Sequence, residues 1–252
     1  MMQRTPIQIF PLSGLPEIKP GDDLARLIVE AARAADFRIE ADDVLVVAQK
    51  VVSKAEGCII ALDSIVPSER ARKWAGEWGK DAHVIELVLR ESSRIVRMAQ
   101  GVIVAETAHG FVCANAGVDV SNAAPGTAIL LPLDPDASAL SLRQGFEAAF
   151  AVRLGVIIAD TFGRPWREGL VNVALGVAGI GPLLDYRGKR DAGGKTLQAT
   201  LIAVADELAS AAELVMGKAD GVPVAVVRGV QLASEAGTGR DLIRPSERDL
   251  FR

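Results

Sequence analysis

Cysteine and histidine are both scarce in this sequence of 252 residues. The two cysteines, Cys58 and Cys113, show no CxxC spacing, and the only histidines are His83 and His109. This scarcity excludes a disulfide framework and a Cys/His zinc cluster, and it favours a reducing compartment, the cytoplasm. Any catalysis would therefore depend on carboxylates, lysines, arginines and metal ions held by oxygen ligands.

Long apolar runs are absent as well. No run of about 18 apolar residues occurs, and the first residues contain no apolar signal core, so we expect no membrane span. The net charge is −4, which argues against a nucleic-acid surface as the main function. Hydrophobic residues make up 50% of the chain, enough for a sizeable core. Composition marks no boundary, so residues 1–252 are taken as one domain or as two closely packed subdomains.

Hydrophobic patterning predicts a chain that uses both strands and helices. The predicted strands cover residues 7–12, 44–48, 102–105, 111–114, 128–133, 156–159 and 223–228. The predicted helices cover residues 24–35, 68–97 in one or two pieces, 135–150, 197–216 and 249–252. Trp74 and Trp78 are four residues apart, which favours a place in the core or an interface over a cofactor site.

One predicted strand, residues 156–159, ends on an acid and a hydroxyl. Asp160 and Thr161 follow it directly, and a polar loop with Gly163 and Gly169 comes next. Such strand ends are common ligand sites in α/β proteins. The alternative is a strand, a turn and a helix capped by Asp160.

A second strand end carries cations. Lys50 and Lys54 follow residues 44–48 and are four residues apart, so on a helical turn both could reach one polyphosphate. Gln49 and Ser53 accompany them, and the alternative is a pair of solvated lysines. After the first strand, a turn containing Ser13 offers backbone N–H groups to an anion, or is an ordinary turn.

A third polar segment surrounds Asp119 and Asn122. Asp119 suits a hard metal ion, and Asn122 can donate and accept hydrogen bonds at once, as recognition of a purine edge or a sugar requires. The alternative is an Asx-rich loop capped by its own side chains. Further along, Gly217 is a natural end for the helix predicted over residues 197–216.

The loop over residues 187–195 imitates a phosphate-binding motif. Its last residues, Gly194 and Lys195, are followed by Thr196, but Lys189 occupies the position where a P-loop needs glycine. We therefore exclude a P-loop. The cations and glycines leave two interpretations, a mobile anion-binding lid and a solvated loop.

Oxygen ligands combined with lysines then predict a Mg²⁺- or Mn²⁺-dependent nucleotide triphosphate site without a P-loop.

Several longer stretches occur in one order from Ile7 to Gly229. They are FPLSGLPEIKPGDDLA, VVAQKVVSKAEG, NAGVDVSN, LPLDPDASA, GVIIADTFGRPWREGLVNVALGVAGI, DYRGKRDAGGK, ADELA and VVRG. Together they closely resemble the coenzyme F420-0:L-glutamate ligase (F420:γ-glutamyl ligase) family. The resemblance implies an α+β fold of mixed sheets and packed helices, without a P-loop, that forms an intertwined homodimer.

The resemblance also implies an activity. Members use GTP to activate the lactyl carboxylate of the deazaflavin precursor F420-0 as an acyl phosphate, and the amine of L-glutamate then attacks it, leaving GDP and phosphate. Further γ-linked glutamates can follow. The expected ions are two divalent cations, Mg²⁺ or Mn²⁺, with K⁺ as an additional candidate. Some members carry a second, nitroreductase-like domain, so this chain corresponds to a stand-alone enzyme or to an N-terminal domain.

Site residues carry over by motif. Asp119 and Asp160 match catalytic residues, and with Thr161 they match metal ligands. The matching nucleotide contacts are Leu12, Ser13, Gly14, Leu15, Gln49, Lys50, Lys54, Asn122, Met216 and Gly217.

Two departures from the family pattern concern these contacts. Gln49 and Lys50 stand where relatives have small hydroxyl residues, and the loop after Met216 is one residue shorter, with Lys218 where an acid can occur. Two other functions stay open. They are a related ligase for another carboxylate and a binding protein that holds a deazaflavin or nucleotide without chemistry.

Overall fold

The computed structural model describes residues 6–231 and 237–249. Its α-helices are α1 (Leu24–Ala34), α2 (Gln49–Ala55), α3 (Glu69–Trp78), α4 (Ala82–Arg90), α5 (Pro135–Phe150) and α6 (Val204–Met216). Its strands are β1 (Gln8–Leu12), β2 (Val44–Ala48), β3 (Ile59–Ala61), β4 (Ser92–Ala99), β5 (Val102–Thr107), β6 (Val112–Ala114), β7 (Thr127–Ile129), β8 (Gly155–Arg164), β9 (Arg167–Ala178), β10 (Leu184–Asp185), β11 (Leu201–Ile202) and β12 (Val224–Arg228). The predicted α+β mixture of sheets and packed helices is confirmed.

A five-stranded mixed sheet organises the fold, in the order β1-β12-β2-β8-β9. Strands β2 and β8 run parallel, and the other neighbours in this sheet are antiparallel. The parallel pair has a simple register, with Val44 opposite Gly155 and Ala48 opposite Ala159. Both strands therefore run towards the same edge of the sheet, where β2 ends and α2 follows it without an intervening loop.

Helices cover both faces of this sheet, which explains why β2, β12 and the first half of β8 are almost entirely apolar. Leu45 and Val47 pack with α1, α2 and α5 on one face. Val44 and Val46 pack with α6 on the other face. This is the alternation expected of successive strand residues.

Local signals fix the ends of the helices. Asp23 caps α1 by accepting from Arg26 N at 3.0 Å, and Asp134 caps α5 by accepting from Ala137 N at 3.1 Å. Pro135 occupies the first turn of α5, as predicted. Gly217 ends α6 with a positive φ of 60°, which confirms the predicted helix end.

Residues 59–129 contribute two smaller sheets, and β10 and β11 form a third. β3 pairs with β7, and β4, β5 and β6 form an antiparallel meander. Helices α3 and α4 supply apolar side chains to the same cluster as β5. Trp74 and Trp78 stack with ring centroids 5.6 Å apart and pack against that cluster, so their predicted place in a core is confirmed.

Four secondary-structure predictions need correction. The helix predicted over residues 68–97 ends at Arg90, because residues 92–99 pair with β5. The helix predicted from residue 197 begins at Val204, after β11 has paired with β10. The strand predicted to reach residue 133 ends at Ile129. Apart from Asp249, which lies outside any α-helix, the helix predicted over residues 249–252 lies outside the described residues.

The fourth correction concerns the segment around Asp160. The strand does not end there, since β8 continues to Arg164 and pairs with β9 in a long hairpin. Asp160 lies opposite Val173 and is not a helix cap. The apolar run after Leu170 is a buried strand, which hydrophobic periodicity alone cannot distinguish from a buried helix. Among the described residues, no helix has the length and apolarity needed to cross a bilayer.

Candidate functional site

A cleft of about 350 Å³ opens where β2 ends beside the middle of β8. Because β2 stops at Ala48, the continuation of β8 beyond Ala159 has a free edge on that side. The remaining walls come from the start of α2, the loop after β1, the end of α6 and the turn before β12. The carboxyl ends of parallel strands thus form a ligand-sized crevice.

Lysines from α2 enter this region already paired with acids. Lys50 Nζ lies 2.7 Å from Asp119 Oδ2 and 2.8 Å from Ser121 Oγ. Lys54 Nζ lies 2.6 Å from Glu17 Oε1. Burial acts to raise the pKa of Asp119, but the hydrogen bonds from Lys50 and Ser121 hold that pKa below its usual value. The predicted same-face arrangement of the two lysines on a helix is confirmed.

Asp160 is a half-buried carboxylate that lines the cleft. Burial raises its pKa, and the negative charge of Asp119 adds to that effect, whereas the Thr161 N–H and the charges of Lys218 and Lys50 act in the opposite direction. Among the described residues, no cation lies within ion-pair distance of the Asp160 carboxylate. A buried anion without a paired cation is a group that gains from binding one.

Thr161 takes part in a chain of polar contacts on the side of α6. Its hydroxyl donates to Asn172 Oδ1 at 2.6 Å, and Asn172 Nδ2 donates to Glu213 Oε2 at 2.8 Å. Lys218 Nζ donates to Thr161 Oγ1. Asp160 and Thr161 point to opposite faces of the sheet, because successive strand side chains alternate. Each of the two faces therefore carries one candidate oxygen ligand with a lysine nearby.

The donor set fits a hard divalent cation that shares its coordination with a bound anion. No cluster of three or more His, Cys, Asp and Glu side chains within residues 6–231 and 237–249 could hold a metal ion by itself. Asp119, Asp160 and Thr161 instead supply two carboxylates and a hydroxyl, each with a lysine or a charge interaction close by. Mg²⁺ typically takes one or two carboxylates and completes its shell with phosphate oxygens and water.

Most of the sequence-predicted residues meet at the cleft. Those that line it are Leu15, Gln49, Lys50, Lys54, Asn122, Asp160, Thr161, Met216 and Gly217. The Gln49 side chain is buried and donates to Ser53 Oγ at 2.5 Å and to Leu130 O at 3.0 Å, so it supports the wall of the cleft from behind. Asp119 is linked to the cleft through Lys50.

Three predicted nucleotide contacts lie outside the cleft lining. Leu12 is buried in the core of β1, while Ser13 and Gly14 are exposed in the turn after it. Gly14 has a φ of 86°, the left-handed conformation that glycine favours. The turn brings Leu15 to the cleft, so these residues position the wall without lining it.

Three polar residues of the cleft carry no sequence motif that would single them out. Glu17 belongs to the loop after β1, Asn172 to β9 and Glu213 to α6. Asn172 offered one signal, because it interrupts the apolar run of residues 170–178 and a buried polar side chain needs hydrogen-bond partners.

The loop at 187–195 contributes nothing to the lining. Arg187 pairs with Asp185 at 2.6 Å on the exposed surface, which favours the solvated-loop interpretation.

Comparison with known proteins shows the family of this chain. The profile of the family F420-0:Gamma-glutamyl ligase matches residues 14–229. A protein of Methanothermobacter thermautotrophicus named coenzyme F420:L-glutamate ligase is 48% identical over 250 residues, covering 98% of this chain and 99% of that protein. Proteins of the same name from Methanopyrus kandleri (98% of each chain) and Methanocaldococcus jannaschii (94% of each) are 49% and 46% identical. The chain therefore belongs to the F420-0:gamma-glutamyl ligase family.

Proposed function

We propose that this protein is a GTP-dependent ligase that joins L-glutamate to coenzyme F420-0. Full-length similarity to proteins named coenzyme F420:L-glutamate ligase supports the substrates. The observation that carries the nucleotide-dependent chemistry is the cleft itself, where the half-buried Asp160 and the cationic Lys50 and Lys218 converge beside the end of β2.

The proposed reaction has two balanced steps. A carboxylate oxygen of F420-0 attacks the γ-phosphorus of GTP, the bond to the β-phosphate oxygen breaks, and GDP leaves. The amine nitrogen of L-glutamate then attacks the acyl carbon and loses a proton to solvent, an amide bond forms, and phosphate leaves with the electron pair of the broken C–O bond. Both steps concentrate negative charge on phosphate oxygens, so positioning and charge neutralisation dominate the catalysis.

The chain's own residues have separate tasks in this proposal. Lys50 and Lys54 project from one face of α2 and bind the polyphosphate, leaving Asp119 and Glu17 as they do so. Asp119, Asp160 and Thr161 would hold one or two divalent cations, Mg²⁺ or Mn²⁺. When bound, such cations draw charge off the phosphates. K⁺ is a further candidate ion, and the addition of more γ-linked glutamates belongs to the same proposal.

A direct assay tests the activity. The protein is incubated with F420-0, GTP, L-glutamate and Mn²⁺, and mass spectrometry detects a product that carries one more glutamyl residue. We expect one GDP and one phosphate for each glutamate added, and no turnover by Asp160→Asn. If neither a glutamylated product nor GDP forms, the proposal is wrong. Replacement of GTP by ATP tests the nucleotide preference.

The same assay separates the rival functions. A protein that only binds a deazaflavin or nucleotide would retain GDP binding and form no product. A ligase for another carboxylate would form GDP only when a different acid or amino acid is supplied, which a substrate panel reveals. The expected homodimer and a cytoplasmic location also remain proposals. Light scattering during size-exclusion chromatography tests the dimer, and a single-chain mass would contradict it.

A further inference from the structure

Asn172 and Glu213 line the cleft beside Thr161 and join it to α6 through a chain of hydrogen bonds. Glu213 Oε2 accepts from Asn172 Nδ2 at 2.8 Å, and Asn172 Oδ1 accepts from the Thr161 hydroxyl at 2.6 Å. Asn172 is 4% exposed and lies directly opposite Thr161 in the β8–β9 register. Neither residue belongs to the set expected to touch nucleotide or metal.

The chemistry of the three side chains fixes the direction of every bond in this chain. An ionised Glu213 can only accept, so Asn172 must turn its NH₂ group towards it. The amide oxygen of Asn172 then faces Thr161, and because a carbonyl oxygen only accepts, the Thr161 hydroxyl must donate its proton there. The lone pairs of Thr161 Oγ1 remain for a positive partner.

A positive partner is present at those lone pairs. Lys218 Nζ, which can only donate, contacts Thr161 Oγ1 from the side of the cleft. In the described structure Thr161 Oγ1 thus accepts from a cation, as the direction of the hydrogen bonds from Thr161 to Glu213 requires. Two neighbouring contacts from α6 hold β9 in place, since Ser210 Oγ donates to Asn172 O at 2.7 Å and Ala174 N donates to Asp206 Oδ1 at 2.9 Å.

We propose that Glu213 and Asn172 are positioning residues that make the Thr161 hydroxyl an obligatory acceptor, and so prepare it to bind a divalent cation. This inference rests on the proposed metal-dependent function. It assigns to α6 a part in metal affinity through hydrogen-bond direction, without contact with the ion. If Glu213 is lost, the Asn172 amide can rotate and donate to Thr161, which then turns its own proton towards the cleft.

The test measures Mn²⁺ binding in the presence of saturating GDP, with the electron paramagnetic resonance signal of free Mn²⁺ as the readout and no turnover needed. Glu213→Leu removes the acceptor and excludes water, and we expect Mn²⁺ affinity to fall about 10- to 100-fold, as for other outer-shell partners of metal ligands. Glu213→Gln keeps an acceptor oxygen for Asn172 without the charge, although its amide can also donate, and should therefore lose less Mn²⁺ affinity than Glu213→Leu. Glu207→Leu removes the same charge from an exposed position of α6 and should leave the affinity unchanged.

A double variant separates positioning from long-range electrostatics. In a Thr161→Val background, Glu213→Leu should cause no further loss of Mn²⁺ affinity, because both changes act through the same hydroxyl. An additive loss, or an equal loss in Glu213→Gln, would overturn the inference, as would a parent protein that binds no Mn²⁺ with GDP. Thermal unfolding of each variant identifies misfolding, and the parent's ligase assay reports separately on the proposed function.

Discussion

Lys50 Nζ and Asp119 Oδ2 lie 2.7 Å apart, so the first turn of α2 is tied to the polar segment that bridges to β7. The pair places a cation and an anion, each expected to bind a part of a metal–nucleotide complex, in contact with one another. Binding must therefore exchange one partner for another at both groups. We therefore expect substitutions of Lys50 and of Asp119 to have opposite effects on GDP binding in the absence of metal.

Lys50→Met should weaken GDP binding in the absence of metal about 10- to 100-fold, because a hydrogen bond to a charged group is worth about 1.5–3 kcal/mol. Isothermal titration calorimetry with GDP measures the change. Lys73→Met, at an exposed position of α3 outside the cleft, is the matched control and should have no effect. Equal GDP affinity in Lys50→Met and the parent would remove Lys50 from the phosphate site.

The partner change is Asp119→Asn. Without metal it should strengthen GDP binding, opposite to the effect of Lys50→Met, and with metal it should weaken GDP binding, as Lys50→Met does. Loss of the carboxylate frees Lys50 for phosphate, so GDP alone should bind more tightly. With Mn²⁺ present the gain should disappear, since a metal ligand has been lost. Identical shifts under both conditions would contradict the exchange.

Hydrophobic patterning predicted the central strands and most helix ends because these depend on local signals. Asp134 and Pro135 start α5, and Gly217 ends α6, through chemistry that is visible in a few adjacent residues. The long β8–β9 hairpin was missed because both faces of its inner half, residues 155–159 and 174–178, are covered. A strand buried on both faces has lost the alternation that would distinguish it from a buried helix.

Only part of the candidate site could be predicted from the sequence. Asp160 and Lys50 follow parallel neighbouring strands, and the pairing of those strands puts them at one edge. Asn172 and Glu213 meet Thr161 through the antiparallel pairing of β9 and the packing of α6. Their contacts join residues 41 and 11 positions apart, which no local spacing rule anticipates.

Gly217 combines a φ of 60° with a ψ of 162°, a backbone conformation that is almost restricted to glycine. Gly217→Ala should lower the free energy of unfolding by about 1–3 kcal/mol and weaken GDP binding, because the turn delivers Lys218 to the cleft. Denaturant unfolding and calorimetry measure the two effects.

The contribution of the neighbouring Asp220 can be separated. A Cβ added at residue 217 would lie 2.1 Å from Asp220 Oδ2, but this atom is the end of a side chain that can rotate away. Adding Asp220→Ala to Gly217→Ala should therefore restore little stability. Full recovery in the double variant would mean that the clash, and not the backbone conformation, is responsible.

We expect the substitution Asp206→Asn to increase stability in a pH-dependent way. Burial raises its pKa, whereas the N–H of Ala174 acts to lower it. A raised folded-state pKa means that stability is complete below the usual Asp pKa of about 3.9 and falls as the pH rises towards the folded value. Asp206→Asn keeps an acceptor for Ala174 N and removes this loss, so Tm should increase at neutral pH and stay unchanged near pH 3.

Asp206→Ala is the control for the hydrogen bond. It removes the charge together with the acceptor and leaves the Ala174 N–H without its partner, which costs about 1–3 kcal/mol. Calorimetric scans between about pH 3 and pH 7 should therefore rank Asn above Ala at every pH. A Tm gain for Asp206→Asn that is as large near pH 3 as at neutral pH would contradict the assigned cause.

Lys218 competes with a divalent cation for the same group. Its ammonium donates to Thr161 Oγ1, and its positive charge opposes the rise in the pKa of Asp160. A divalent cation that binds these oxygens must displace this ammonium, while a polyphosphate should attract it. Lys218→Met should therefore tighten the binding of Mn²⁺ alone and weaken the binding of GDP alone, each by about 10-fold, the equivalent of one 1.4 kcal/mol interaction.

Lys195→Met removes a lysine from the exposed loop that does not line the cleft and should change neither affinity. Weaker Mn²⁺ binding in Lys218→Met would mean that the lysine supports the metal site, and that Thr161 Oγ1 is not the group for which the two cations compete.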